Sequence, residues 1–125
     1  MSDEKKALAG RTVLVVDDEA DMRFLLRVTL ELAGYSVVEA AHGEAALEQV
    51  SRLCPDAVVT DRMMPRCSGD ELITRLRAAE KTASIPVVMV TGTSGAQSAA
   101  DGVLMKPFDP AELVGLLGDL IDRGR

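Results

Sequence analysis

The chain has 125 residues, a length suited to one compact domain, and 47% of them are hydrophobic, enough to build a packed core. Aromatic residues make up only 2%, so the core must consist of aliphatic and Met side chains, which argues against a ligand cavity walled by rings. A net charge of −6 argues against the clustered basic surface that direct nucleic-acid binding requires. The excess acid either serves a divalent-cation site or keeps a small protein soluble, and composition leaves both open.

The chain carries no pattern that predicts export or membrane insertion. No run approaches the roughly 18 apolar residues of a membrane span, and the polar start, residues 1–6, is not a signal peptide. We therefore expect a cytoplasmic protein. Cys54 and Cys67 do not form a disulfide framework, and with a single His they do not form a zinc cluster, so structural or incidental roles are expected for both.

Short apolar, β-branched runs alternate with helical patterns, which predicts strand–helix–strand units around a parallel sheet in an α/β fold. Strands are predicted over residues 12–16, 35–40, 57–60, 85–90 and 103–105. Helices are predicted over about 20–33 and 43–53, and from Gly69 and Pro110 onward. Gly34 should end the first helix and Asp109 should cap the last. The inward face of the first helix is predicted to carry Met22, Leu25, Leu26, Thr29 and Leu30.

Polar residues follow four of the predicted strands at the point where each strand ends. Asp17 and Asp18 follow the first, Asp61 the third, Thr91 the fourth and Lys106 the fifth. Because ligands bind outside the carboxyl ends of the strands in open parallel sheets, we expect these side chains to meet at one edge.

The chemistry of this set indicates phosphoryl transfer. Three neighbouring carboxylates repel one another unless a cation neutralises them, and Mg²⁺ takes carboxylate oxygens and shares itself with phosphates. Lys106 supplies a positive charge for a phosphoryl oxygen, and Thr91 supplies a hydroxyl donor. Each part alone is ordinary: Asp17-Asp18 by itself is typical of a solvated turn and helix cap. The conjunction at successive strand ends carries the interpretation.

At this point the sequence resembles the receiver domain of two-component response regulators, over about residues 11–123 of a single domain spanning 1–125. The matching segments are 13–19 (Val-Leu-Val-Val-Asp-Asp-Glu), 61–65 (Asp-Arg-Met-Met-Pro) with Gly69 after it, 90–92 (Val-Thr-Gly) and 106–108 (Lys-Pro-Phe). The resemblance implies a flavodoxin-like fold: a doubly wound, five-stranded parallel sheet in the order 2-1-3-4-5 with helices on both faces.

The resemblance also implies roles for the polar residues. Asp61 would accept a phosphoryl group from the phosphohistidine of a sensor histidine kinase or phosphotransfer protein, or from a small acyl phosphate. Asp17, Asp18 and Asp61 would hold Mg²⁺ with the backbone carbonyl of Met63. Lys106 would contact the phosphoryl oxygens. Thr91 would move to hydrogen-bond the phosphoryl group and so report it to a downstream protein target or output domain.

Two departures from the family pattern stand out. Val103 replaces the Tyr or Phe usual three positions before the lysine, so a ring cannot switch there. Only residues 92–102 are available to cross between the last two strands, and they are rich in Gly and Ser, so the fourth helix of the family is predicted to be missing or vestigial. In the family the fourth helix, the fifth strand and the fifth helix form the usual output and dimerisation face. We therefore hypothesise that this face is remodelled here; a homodimer is left open.

Smaller features concern the lifetime of the phosphoryl group. Met63 and Thr93 lie two positions after Asp61 and Thr91, where family members tune hydrolysis, and a bulky Met63 would shield the acyl phosphate. A plain surface role for Met63 is the alternative. His42 is left without a role.

Two other functions compete with a signalling receiver that catalyses only its own phosphorylation and slow dephosphorylation. A Mg²⁺-dependent phosphohydrolase would need a second acid and a substrate pocket, and Asp61 is followed by Arg62-Met63 instead. A phosphorylation-independent pseudo-receiver is favoured by Val103 and the short crossover, but it has no need of a repulsive acid cluster. The sequence ends just after the last helix, as expected of either a stand-alone regulator or an excised receiver. This end slightly favours a stand-alone regulator.

Overall fold

The computed structural model describes residues 11–92 and 99–123, and these form five strands and four helices. The strands are β1 (Thr12–Val16), β2 (Ser36–Ala40), β3 (Ala57–Asp61), β4 (Val87–Thr91) and β5 (Gly102–Met105). The helices are α1 (Ala20–Leu32), α2 (Gly43–Leu53), α3 (Gly69–Ala78) and α4 (Pro110–Arg123). The predicted bounds agree to within two residues, with the largest difference at β4, where Ile85 precedes the strand.

The strands form one parallel sheet in the order β2-β1-β3-β4-β5, so the predicted flavodoxin-like fold is confirmed. β1 and β3 lie side by side at the centre, with Val16 opposite Thr60. Asp61 lies opposite Val90, which brings the end of β3 level with the end of β4. The register therefore aligns the carboxyl ends of the central strands.

The sheet separates two layers of core because successive strand residues face opposite sides. Leu14 and Val16 of β1 pack with the buried residues of α2 and α3, whereas Val13 and Val15 pack with those of α1 and α4. Both faces of β1, β3 and β4 are covered, which explains their continuous apolar sequence.

The helix ends agree largely with the predictions. Gly34 follows α1 with φ 107°, a left-handed conformation that glycine adopts without strain. Asp109 Oδ1 accepts a hydrogen bond from Ala111 N at 2.9 Å, as expected for a cap. His42, which had no predicted role, caps α2: its Nδ1 accepts from Ala45 N at 3.1 Å.

One predicted core position in α1 is wrong. Leu25 is 46% exposed, whereas Leu26 and Leu30 are buried. The apolar face of α1 continues onto the surface through Phe24 and Leu32, so apolarity alone did not mark which side faces the sheet.

The crossover between β4 and β5 is described only at its ends. Gly92 and residues 99–101 are bends, and none of the four described helices lies between β4 and β5. The remainder of the prediction about a missing fourth helix falls on residues 93–98, which lie outside the described residues. Residues 1–10 and 124–125 also lie outside the described residues.

Among the helices that the structure describes, none is long and apolar enough to cross a membrane. Cys54 and Cys67 are both free thiols, the first exposed and the second buried. Burial raises the pKa of the Cys67 thiol, which keeps it in the less reactive protonated form.

Candidate functional site

Three strands bring one ammonium and two carboxylates together at the carboxyl edge of the sheet. Asp17 directly follows β1, Asp61 is the last residue of β3, and Lys106 directly follows β5. Lys106 Nζ lies 3.3 Å from Asp61 Oδ1 and 3.6 Å from Asp17 Oδ2. The convergence expected from the strand ends is present for these three side chains.

Asp17 is the most enclosed acid of the group, with 1% of its surface exposed. Its Oδ1 accepts a hydrogen bond from Glu19 N at 2.9 Å, which closes the turn between β1 and α1. Burial raises the pKa of the Asp17 carboxyl and the nearby charge of Asp61 adds to this, while the Glu19 N–H and Lys106 oppose it. The ionised form is therefore disfavoured when the site holds no cation.

Lys106 is placed by the backbone as well as by charge. Its N–H donates to the carbonyl of Thr91 at 2.8 Å, which extends the β4–β5 pairing to the edge of the site. Burial alone would lower the pKa of the Lys106 ammonium, but the charges of Asp61 and Asp17 outweigh it and raise that pKa. Lys106 is therefore a fixed positive charge between two acids.

The loop after Asp61 is held tightly against β3. Arg62 N donates to Asp61 Oδ1 at 2.8 Å, and Gly69 N donates to the carbonyl of Arg62 at 2.8 Å. A Cβ at Gly69 would fall 2.4 Å from the carbonyl oxygen of Asp61. The glycine in the motif is thus required because the start of α3 passes directly against the end of β3. Arg62 Nε also donates to Asp70 Oδ2 at 2.8 Å.

The carboxylates at the start of α1 suit a hard divalent cation. Oxygen atoms of Asp17, Asp18 and Glu19 lie within 4.8 Å of one another. Asp17 Oδ2 is buried and accepts no hydrogen bond in the described part of the chain, with the Lys106 ammonium 3.6 Å away, so it has lone pairs available for a metal ion. Oxygen donors of this kind are those that Mg²⁺ prefers.

The remaining predicted residues differ in their burial and in their position relative to the site. Thr91 is 2% exposed at the end of β4, beside Lys106. Met63 is 69% exposed in the loop after Asp61, whereas the neighbouring Met64 is buried in the core. Val103 is 45% exposed on the edge strand β5, opposite Met89. Thr93 lies outside the described residues.

Two contributors to this edge had no predicted role. Glu19 supplies the N–H that binds Asp17, and Arg23 Nη1 donates to the carbonyl oxygen of Asp17 at 2.7 Å. Glu19 belongs to the matching Asp-Asp-Glu segment, so its position was visible in the sequence. Arg23 lies four residues later on α1, and no sequence signal indicates that its side chain turns back toward the end of β1.

Comparison with known proteins agrees with this architecture. The family model described as the response regulator receiver domain matches residues 13–117. The phosphate regulon transcriptional regulatory protein PhoB of Pseudomonas aeruginosa is 38% identical over 123 residues, which cover 93% of this chain and 54% of that protein.

Two solved structures give the same result. Chemotaxis protein CheY4 of Vibrio cholerae has 31% identity and a TM-score of 0.83, covering 90% of this chain and 99% of that one. The receiver domain of sensor histidine kinase PA1611 from Pseudomonas aeruginosa has 28% identity and a TM-score of 0.84, covering 91% and 99%. That receiver has a magnesium ion coordinated in its active site cleft.

The chain belongs to the response regulator receiver domain family, the signalling domains of two-component systems. Receiver domains of this family are signalling domains. The chain spans about half the length of the curated relatives it matches: 54% of PhoB from Pseudomonas aeruginosa and 49% of the regulator RpaA from Synechocystis.

Proposed function

We propose that this chain acts as a phosphorylation-controlled receiver in which Asp61 accepts a phosphoryl group from a phosphohistidine with the help of Mg²⁺. The observation that carries the proposal is the position of Lys106 Nζ, 3.3 Å from Asp61 and 3.6 Å from Asp17, at the ends of three separate strands. A phosphoryl-transfer site needs this combination of a carboxylate nucleophile and fixed positive charge.

In the proposed reaction an oxygen of the Asp61 carboxylate attacks the phosphorus, and the bond from phosphorus to the donor imidazole nitrogen breaks with its electron pair leaving on that nitrogen. Lys106 neutralises charge that develops on the phosphoryl oxygens. The N–H of Arg62, 2.8 Å from Asp61 Oδ1, orients the carboxylate so that its other oxygen is available to attack. Thr91 supplies a hydroxyl toward the phosphoryl group.

Asp17, Asp18, Asp61 and the Met63 carbonyl would hold the metal ion, which supplies charge neutralisation for the acids and the phosphoryl oxygens. The buried Asp17 Oδ2, which accepts no hydrogen bond among the described residues, and the neighbouring oxygens of Asp17, Asp18 and Glu19 support this assignment. The similar PA1611 receiver has a magnesium ion coordinated in its active site cleft, which supports the same choice of metal here.

The sensor histidine kinase or phosphotransfer protein that donates the group, and the downstream protein target or output domain, are partners implied by membership of the family. Homologues include the DNA-binding regulator RpaA, in which the matched region covers 49% of the protein. Direct nucleic-acid contact is not proposed for this receiver because its net charge is −6.

The test is to incubate the full chain with Mg²⁺ and acetyl phosphate and to weigh the intact protein. A gain of one phosphoryl group that requires Mg²⁺ and is lost in Asp61→Asn is expected. Asp119→Asn, an exposed acid on α4, is the matched control and should gain the group normally.

A pseudo-receiver that binds partners without phosphorylation is the second candidate, favoured by the aliphatic Val103 on a half-exposed edge strand. No phosphoryl gain with acetyl phosphate or phosphoramidate, despite a normal melting curve, would favour it over the proposal.

A further inference from the structure

Arg23 lies in the first turn of α1, four residues after Glu19, and has two hydrogen-bond partners, one in the turn after β1 and one in β2. Its Nη1 donates to the carbonyl oxygen of Asp17 at 2.7 Å, and its Nε donates to Glu39 Oε1 on β2 at 3.3 Å. Its side chain is only 20% exposed. The guanidinium therefore connects Glu39 on the edge strand β2 with the backbone of Asp17, the first residue of the turn formed by residues 17–19.

The bond to the Asp17 carbonyl fixes more than one residue. That oxygen lies in the planar peptide unit that joins Asp17 to Asp18, so holding it sets the orientation of this plane. This plane contains the Cα atoms of both residues, so holding it restricts the directions in which both side chains leave the backbone. The Glu19 N–H holds the other end of the turn by binding Asp17 Oδ1 at 2.9 Å.

We propose that Arg23 is a positioning residue for the metal-binding turn: by holding the 17–18 peptide against Glu39, it orients the carboxylates of Asp17 and Asp18 toward one cation. The inference rests on the proposed function, because it concerns the same site. It adds a residue that contacts neither the phosphoryl group nor the metal.

The charge of Arg23 and its positioning of the turn predict opposite effects of its removal on the affinity for the metal ion. A guanidinium close to the acids repels a divalent cation, so its loss would tighten metal binding if electrostatics were its only influence. Loss of positioning weakens metal binding because the carboxylates are no longer held in the binding geometry. The sign of the change in affinity therefore separates the two roles.

Three variants make the comparison sharp. Arg23→Lys keeps the charge but replaces the planar fork with a single ammonium, which cannot reproduce both hydrogen bonds in the same geometry. Arg23→Gln removes the charge. Arg27→Ala is the matched control: Arg27 Nη1 donates to the same Glu39 at 2.7 Å, and no bond from Arg27 to Asp17 occurs among the described residues.

The measurement is titration of the full chain with Mn²⁺, an oxygen-preferring ion visible by electron paramagnetic resonance, with a thermal melt of each variant. We expect Arg23→Lys and Arg23→Gln each to weaken Mn²⁺ binding about tenfold or more, as for other residues that orient metal ligands. Arg27→Ala should stay within about twofold, as expected for an exposed ion pair.

Wild-type or tighter Mn²⁺ affinity in Arg23→Lys would overturn the positioning role, and so would an equal loss in Arg27→Ala. If Arg23→Gln does not fold, Arg23→Lys decides. Failure of the wild-type protein to bind Mn²⁺ would instead overturn the metal site of the proposed function, and with it this inference, so the two failures are distinguishable.

Discussion

At the residue scale, the acids of the site illustrate a conflict between stability and function. Asp17 is 1% exposed and its pKa is raised, first by burial and then by the charge of Asp61. A buried carboxylate that is destabilised in the metal-free protein is useful because a cation relieves the strain when it binds. The buried carboxyl of Asp17 therefore lowers the stability of the metal-free protein, as is common for residues kept for function.

Asp17→Asn is therefore expected to stabilise the metal-free protein and to raise its Tm. The amide oxygen can still accept from the Glu19 N–H, so the turn is retained. Because the pKa is raised in the folded state, the wild-type carboxyl is fully favourable only below its usual value of 3.8 and loses stability as pH rises through its folded value.

Chemical and thermal melts in the presence of a chelator, at about pH 7 and about pH 4, would check both statements. The stability gap between Asp17→Asn and wild type should be larger at the higher pH. A variant that is less stable than wild type at both pH values contradicts this account of Asp17.

Lys106 lies between Asp61 and Asp17, where the proposed function requires a positive charge. Lys106→Met is expected to slow phosphorylation by acetyl phosphate about a hundredfold, since one preorganised positive group at the developing charge is lost. The rate would be followed by intact mass against time. Lys81→Met, at an exposed lysine that contacts neither acid in the described structure, is the control; an equal slowing there would show a general charge effect instead.

At the element scale, side-chain contacts as well as backbone hydrogen bonds fix the register of the short edge strand β5 against β4. Asp101 N donates to the carbonyl of Val87 at 2.8 Å, and Val87 N donates to Asp101 Oδ2 at 2.8 Å. Arg77 of α3 binds the same carboxylate at 2.6 Å and the carbonyls of Ala83 and Ile85 at 2.9 and 2.8 Å. A slip by one residue would turn every β5 side chain to the other face.

Arg77→Ala is expected to destabilise the fold by about 2 kcal/mol, because two carbonyls and one carboxylate lose a charged donor. Urea denaturation would measure this loss. Arg75→Ala, on the exposed side of the same helix, should change stability by less than about 0.5 kcal/mol. Similar losses in both variants would contradict this account, because the Arg77 contacts would then contribute no more than an exposed arginine of the same helix.

Replacing a helical glycine by alanine is expected to have opposite effects on stability at two positions. At Gly69 a Cβ would lie 2.4 Å from the Asp61 carbonyl oxygen, whereas at Gly115 of α4 it would meet nothing within 4 Å. Gly115→Ala should therefore stabilise the protein by about 0.5–1 kcal/mol. Gly69→Ala should destabilise it by about 1–3 kcal/mol, since the backbone must shift. Equal effects of the two substitutions in a thermal melt would contradict the close approach of α3 to β3.

At the scale of the whole molecule, the sequence predicted the sheet and the meeting of its acids because both follow from simple periodicity. Continuous apolar runs such as Thr12–Val16 signal strands covered on both faces, and the polar residue that ends each run must then lie at a shared edge. Asp17, Asp61 and Lys106 could be placed together on this basis alone.

Contacts that depend on side-chain direction could not be predicted in this way. Arg23 binds the Asp17 carbonyl, and Arg77 reaches Asp101, through long side chains whose rotamers no periodicity encodes. Leu25 was predicted inward and is 46% exposed because the apolar surface of α1 is broader than the face that packs on the sheet. The carbonyl of Met63, the hydrolysis roles of Met63 and Thr93, and the effect of Val103 on output stay predictions.

The most direct test of the central claim is to identify the phosphorylated residue. The protein is treated with Mg²⁺ and acetyl phosphate, the acyl phosphate is reduced with borohydride, and the product is sequenced by tandem mass spectrometry. The account predicts conversion to homoserine at position 61, absent when Mg²⁺ is withheld. Conversion at position 17 or 18 instead, or at no acid in the protein, would contradict it.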